Sequence, residues 1–315
     1  MRGRTRTKLS PCRRARTIER IEPLAYGIAP HLETLLGAAG ASNSAAPPNQ
    51  AEQTERSERS ERSERWFILL DVGPFVPVQK PLERLLERWP GELLFETSVG
   101  AEAMDYSPRL IELGPDRAAA HAQVEAFDTV CAHLPVLSVL SATLTAPQLL
   151  QRLRFLMWVD ADRSPYLLRI ADTPSMQAVA TVLTPAQRGT LFAGLRGWWC
   201  VDYQGRLNDL TAGERVGAPA APGGTASAWE TPFARFELDA SQTQGVMRGT
   251  EVQMVAAQMR QAEPSFAQRL SHARQARFAS EFLDEARREA YEEDEMLSQA
   301  RARWAATQDP GEDDA

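Results

Sequence analysis

Four histidines, His31, His121, His133 and His272, and three cysteines, Cys12, Cys131 and Cys200, are the side chains best suited to metal binding or nucleophilic work. Their spacing supports little of either. His121 and His133 fall on or just after one predicted helix, and a zinc site there needs two further ligands. A structural role is favoured for both. There is no C-x-x-C pair, and an odd, scattered cysteine set supports neither a zinc ribbon nor a disulfide framework. Cys200 lies inside the apolar run Trp198–Val201, where burial raises a thiol pKa and the side chain packs as a small hydrophobe. Asp160 and Asp162 open like a calcium loop, but the central Gly and terminal Glu do not follow at the required offsets. A polar turn, Asp160 to Pro165, accounts for both. Glu292-Glu293-Asp294-Glu295 reads as a solvated helix face. The sequence holds no phosphate loop, dinucleotide glycine fingerprint, nucleophile elbow or H-E-x-x-H. No metal or cofactor is expected.

The elements around these residues are clearer. Trp66–Leu70 reads as a buried strand ended by Asp71 and Gly73-Pro74. Leu82, Leu85, Leu86 and Trp89 fall at i, i+3, i+4, i+7 of a helix. Leu93–Glu96, Arg109–Leu113, Val136–Leu140 and Tyr166–Ile170 are strand candidates. Ala118–Ala132 is helical, with Ala120, Val124, Phe127 and Cys131 on one face. Thr145 caps a helix that aligns Leu149, Leu153 and Leu156. Two further helices carry Met176, Val179 and Leu183, then Leu191, Phe192 and Leu195. Trp198–Tyr203 and Arg206–Leu210 form a hairpin turned at Gln204-Gly205. Strands and helices alternate over 66–210, so the fold class is α/β, a mixed sheet flanked by helices. A Gly/Pro-rich linker at 211–232 leads to an all-helical lobe at 233–308 and an acidic tail at 309–315.

Residues 1–65 read as a disordered, low-complexity leader. Glu55–Arg65 repeats Glu-Arg-Ser with Glu/Arg pairs at i, i+4 but no apolar face to bury. Only Ile18–Leu36 has the pattern of a small amphipathic helix.

Composition and charge exclude several classes. The 315 residues are 43% hydrophobic and 24% charged, the profile of a globular chain with a real core. No apolar run approaches the roughly 18 residues of a membrane span. The net charge of −7 argues against a general nucleic-acid binder, and the basic head, with Arg2, Arg4, Arg6, Lys8, Arg13, Arg14 and Arg16, lacks interleaved aromatics. The basic start has no apolar signal core, and the cysteine usage fits a reducing cytoplasm.

The ordered region resembles a known family. Trp66-Phe67-Ile68-Leu69-Leu70-Asp71 is similar to the opening strand-plus-Asp of domain-of-unknown-function family 4123. Ser107–Leu113 resembles that family's second strand, and Leu149–Trp158, with Leu153-Arg154-Phe155-Leu156, its central helix. Leu168-Arg169-Ile170-Ala171-Asp172 resembles its strand ending in Asp. The likeness covers 66–210 in the family's order and extends loosely to Trp304. Arg152 stands where the family often has His, and Thr173-Pro174-Ser175 replaces the Pro-Arg after its Asp.

The resemblance implies a non-catalytic, cytoplasmic adaptor or chaperone of bacterial type VI secretion. Such proteins bind a toxic effector and help load it onto the VgrG spike. It transfers no catalytic residue. Asp71, Arg169 and Asp172 are expected to form a structural polar motif. Partner binding is expected from Trp199, on one face of its strand, and from the helical stripe Phe278, Phe282 and Leu283. The partners implied are the effector and VgrG, with no specific nucleic acid and no membrane. The alternative is an α/β enzyme with a motif-free site in which Asp71, Arg169, Asp172 and Asp202 converge on one pocket.

Overall fold

The computed structural model describes residues 26–41, 64–76, 78–96, 100–161, 164–212, 236–292 and 294–308. The basic head, the Glu-Arg-Ser repeat, most of the Gly/Pro-rich stretch and the acidic tail lie outside these residues.

Six strands form one antiparallel sheet in the order β2-β3-β1-β4-β7-β8. They are β1 (Arg65–Leu70), β2 (Glu92–Leu93), β3 (Arg109–Glu112), β4 (Leu137–Ala142), β7 (Leu195–Val201) and β8 (Leu207–Asp209). β1 lies at the centre, pairing Phe67 with Glu112 on one side and Leu140 on the other. Successive side chains of a strand point to opposite faces. Phe67 and Leu69 therefore enter one core and Ile68 and Leu70 the other. Helices cover both faces, which is why the strand reads as an unbroken apolar run rather than an alternating one.

One face is covered by α4 (Ala146–Met157), α5 (Thr173–Val182) and α6 (Pro185–Phe192), which bring in Leu149, Leu153, Met176, Val179 and Leu191. Thr145 starts α4 as expected, its N–H donating to Gln148 Oε1 at 2.9 Å. The other face is covered by α2 (Lys80–Arg88), with Leu82, and α3 (Arg117–Cys131), with Val124 and Phe127. The α/β reading, a sheet flanked by helices and followed by a helical lobe, holds. Among the described residues, parallel pairing is confined to a second, small sheet of order β6-β5-β9.

That small sheet departs from the sequence reading. Asp160 is not in a turn: β5 (Trp158–Ala161) follows α4 directly and pairs antiparallel with β6 (Ser164–Leu167). Phe236 is not helical: β9 (Phe236–Leu238) runs parallel to β5, with Glu237 opposite Asp160. The strand expected at Tyr166–Ile170 is shifted towards the N-terminus accordingly.

A second departure concerns the leader. Residues 26–41 belong to the fold, with a 3-10 turn at Ala29–His31 running into α1 (Leu32–Ala41). Tyr26, Ile28, Leu32, Leu35 and Leu36 are buried, the last four in the α2/α3 core. Asp128 of α3 ties the segment down, accepting from Ile28 N–H at 2.7 Å and Ala29 N–H at 3.2 Å. The boundary at 65 fails here because the amphipathic pattern within Ile18–Leu36 is legible in the sequence, but its packing partner, about a hundred residues away on α3, is not.

The helical lobe has its own core. It consists of α7 (Ala240–Ala262), α8 (Pro264–Arg269), α9 (His272–Glu289) and α10 (Met296–Gln308), packed around Met259, Phe266, Phe282 and Trp304. Its boundary is not at 233. Leu238 and Val246 pack with the sheet core, and the first turns of α7 lie on α5. The lobe and the α/β body therefore share one helix.

Candidate functional site

β1 sets the first polar residue of the site. Just beyond its end, Asp71 N–H donates to Val136 O at 2.9 Å, while Asp71 Oδ1 accepts from Gly73 N–H at 3.0 Å. This small turn fixes the carboxylate and leaves Oδ2 facing Arg169, which follows β6. Arg169 Nη2 donates to Asp71 Oδ2 at 2.6 Å and lies 4.0 Å from Asp172 Oδ1. Asp172 is the N-cap of α5, accepting from Ser175 N–H at 3.1 Å and from the Ser175 hydroxyl. The three residues expected to form a polar motif thus come together where a strand end, a connecting loop and a helix start meet.

Burial divides their roles. The Asp71 side chain is 5% exposed and that of Arg169 59%. Burial pushes the Asp172 carboxyl above the usual carboxylate range, although Ser175 and Arg169 favour its charged form. Burial also draws the Arg169 guanidinium down, but Asp71 and Asp172 outweigh it and hold it above its ordinary value. Beside the trio is a cavity of about 30 Å³, lined by Asp71, Phe95, Tyr106, Leu167, Arg169 and Asp172. That is room for about one water molecule or the tip of one side chain.

Large apolar side chains stand in solvent around this cavity. Tyr106 is 51% exposed, Tyr166 53%, Trp158 40% and Leu167 38%. Tyr106 and Leu167 share the cavity wall, and Trp158 is the cross-strand partner of Leu167. Tyr106, Leu167 and Trp158 thus form one apolar patch, the kind of exposed surface that marks an interaction site, while Tyr166, paired with Val159, lies on the opposite face of the small sheet.

The residues expected to bind a partner lie elsewhere and are largely covered. Trp199 is half-buried and stacks on Trp66, ring centroids 5.4 Å apart and planes 13° from parallel. Phe282 and Leu283 are buried in the lobe core. Phe278 packs edge-on against Phe266 at 5.2 Å and Trp304 at 6.0 Å. The stripe is an internal packing surface, not a docking face, because α10 folds back and closes over it.

Asp202 does not join Asp71, Arg169 and Asp172. It holds its own hairpin turn, accepting from the N–H groups of Gln204 at 2.8 Å and Arg206 at 3.0 Å and pairing with the Arg206 guanidinium. The two histidines read against a metal pair also have separate partners. His121 lies near Glu33 and Glu125, and His133 meets Phe75 edge-on at 5.8 Å. Among the described residues, no three His, Cys, Asp or Glu side chains are grouped to hold a metal ion. Cys200 is buried, its thiol pushed up to about 12 by desolvation. Arg152 is fully buried, donating to Leu191 O at 3.3 Å, with its pKa drawn down to about 10 by burial. No described helix is long and apolar enough to cross a membrane.

Fold and site together define a two-faced α/β platform with an exposed aromatic patch at one corner. Residues 66–190 match the family model Domain of unknown function (DUF4123). No curated protein and no solved structure matches the chain.

Proposed function

We propose that this protein is a non-catalytic cytoplasmic adaptor that binds a type VI secretion effector and helps load it onto the VgrG spike. The observation that carries this reading is the exposed patch Tyr106, Trp158 and Leu167, held on the sheet platform within the segment that matches DUF4123. Trp and Tyr anchors clustered in one patch are what a protein-binding hot spot requires. The neighbouring cavity of about 30 Å³ suits the tip of one partner side chain. Asp71 and Asp172 are held by structural partners, and Asp202 lies outside the trio, which weakens the enzyme alternative.

The test is co-expression of the full chain with the toxin encoded beside it and with VgrG, followed by affinity purification. Wild type is expected to retain the effector. A Tyr106→Ala/Trp158→Ala variant with an unchanged melting curve is expected to lose it. Wild type that retains neither protein would overturn the proposal.

A further inference from the structure

The aromatic patch has an acidic border. Alternation along β5 puts Asp160 on the same face as Trp158, and the register places Pro165 and Glu237 beside it. On the other side, a 3-10 turn at Ala101–Tyr106 exposes Glu102 and Asp105 next to Tyr106. Glu102, Asp105 and Glu237 are exposed and carry no ion pair among the described residues. Two cations on the neighbouring elements, Arg169 and Arg154, are committed. Arg169 is paired with Asp71, and Arg154 is held by Glu96 and the carbonyls of Leu93 and Leu94.

The outer edge of β6 restricts how a partner can dock. Leu168 N–H donates to Met157 O at 2.7 Å, so the antiparallel alternation turns Tyr166 towards β5 and Pro165 and Leu167 outwards. Pro165 has no N–H to offer, and a proline at an outward position blocks extension of the sheet by an added strand. Recognition must therefore run through side chains.

We propose that the patch binds a polypeptide segment whose aromatic or aliphatic side chains are flanked by Lys or Arg. Its apolar residues cover Trp158, Leu167 and the cavity mouth. Its cations lie over the Trp and Tyr faces and against the acidic border. An acidic segment would be repelled by that border, and a neutral one would leave its charges uncompensated. This inference rests on the adaptor reading and names the chemistry of the partner.

A random peptide library displayed on phage, panned on the full-length protein, tests it. The enriched peptides are expected to combine Lys or Arg with aromatic or aliphatic residues. Affinity for a selected peptide should fall about tenfold between about 50 and about 500 mM NaCl, and by a similar factor in Asp105→Lys/Glu237→Lys. Tyr106→Ala/Trp158→Ala should abolish binding while melting like wild type. Enrichment of acidic or uncharged peptides would overturn the inference, as would affinity indifferent to charge reversal. Tighter peptide binding by full-length Arg13→Ser/Arg14→Ser/Arg16→Ser would also overturn it, by making the chain's own basic head the occupant. Cationic peptides bound at the patch with no effector retained would leave this inference standing and remove the adaptor reading. An effector retained regardless of Trp158 and Asp105 would do the reverse.

Discussion

The Arg169–Asp71 contact is unequal: one partner is buried and the other mostly in water. A pair with an exposed arginine is screened, so its Coulomb attraction alone contributes about 0.2–1 kcal/mol. Removing Arg169 has a larger effect, because the buried Asp71 Oδ2 then loses its short hydrogen bond, at a cost of about 1–3 kcal/mol. Arg169→Ala is therefore expected to lower unfolding free energy by about 1–2 kcal/mol. Asp71→Asn in the same chain should return part of that loss. Urea titrations of the two single variants and the double variant measure the coupling. Losses that simply add would show that the contact contributes nothing. Asp71 was legible because it ends an apolar run, whereas Arg169 and Asp172 stood out through the resemblance to the family's strand ending in Asp. Trp158, Tyr166 and Tyr106 were not legible. In Trp158-Val159-Asp160-Ala161 the buried positions hold Val and Ala, while Trp is exposed and Asp half-buried. An exposed Trp reverses the polarity that pattern reading relies on, so this strand reads as a helix end and a turn.

At the scale of elements, the crossing of α5 and α7 depends on glycine. A Cβ added at Gly249 would lie 2.5 Å from Ala178 Cβ and 3.2 Å from its Cα, and one at Gly245 would lie 2.5 Å from Val182 Cγ1. These glycines, four residues apart, let the two backbones approach as they would in a small-residue helix interface. In an open helical position, Gly→Ala stabilises by up to about 1 kcal/mol. Gly189 in α6 is such a position, with nothing within 4 Å of an added Cβ. Opposite signs are expected. Gly189→Ala should raise stability by about 0.5–1 kcal/mol, and Gly249→Ala should lower it by about 1–3 kcal/mol through overpacking. Thermal melts of the two variants beside wild type decide it, and a stabilised Gly249→Ala would refute the close crossing. Element type was readable wherever helices had a long apolar stripe, as in α3 and α4, or where turn chemistry was explicit. Gly205, at φ 77°, closes the hairpin between β7 and β8 as its residue type suggests. The three-residue β9 was not readable. Its pairing partner β5 lies over seventy residues earlier, and so short a strand carries no period of its own.

For the whole molecule, the decisive feature is that the lobe is docked on the platform rather than trailing from a linker. α7 is 23 residues long, about 35 Å, and belongs to both parts. Farther along the seam, the Tyr203 hydroxyl donates to Ser280 Oγ at 3.0 Å, joining the β7–β8 hairpin to α9. His272, at the start of α9, faces Arg260 of the lobe and His133 of the platform, and its pKa is drawn down to about 4, by burial first and then by those two neighbours. Its ordinary value is 6.5. Above pH 6.5 the group is neutral whether folded or unfolded, and it contributes its full stability. Between 6.5 and about 4 the unfolded chain takes up a proton that the folded chain refuses, so the folded state loses ground as pH falls. Below about 4 both forms are protonated and the loss stops growing. Carboxylates titrate in the same window, but they are common to wild type and to His272→Gln. The melting temperature of wild type should therefore fall more steeply than that of His272→Gln between pH 6.5 and 4, with the two curves parallel above 6.5. Hydrogen exchange should place the excess opening in α9 and the hairpin it contacts. Parallel curves throughout would mean that His272 is not buried at the seam, and the docked arrangement of the lobe would fall with it.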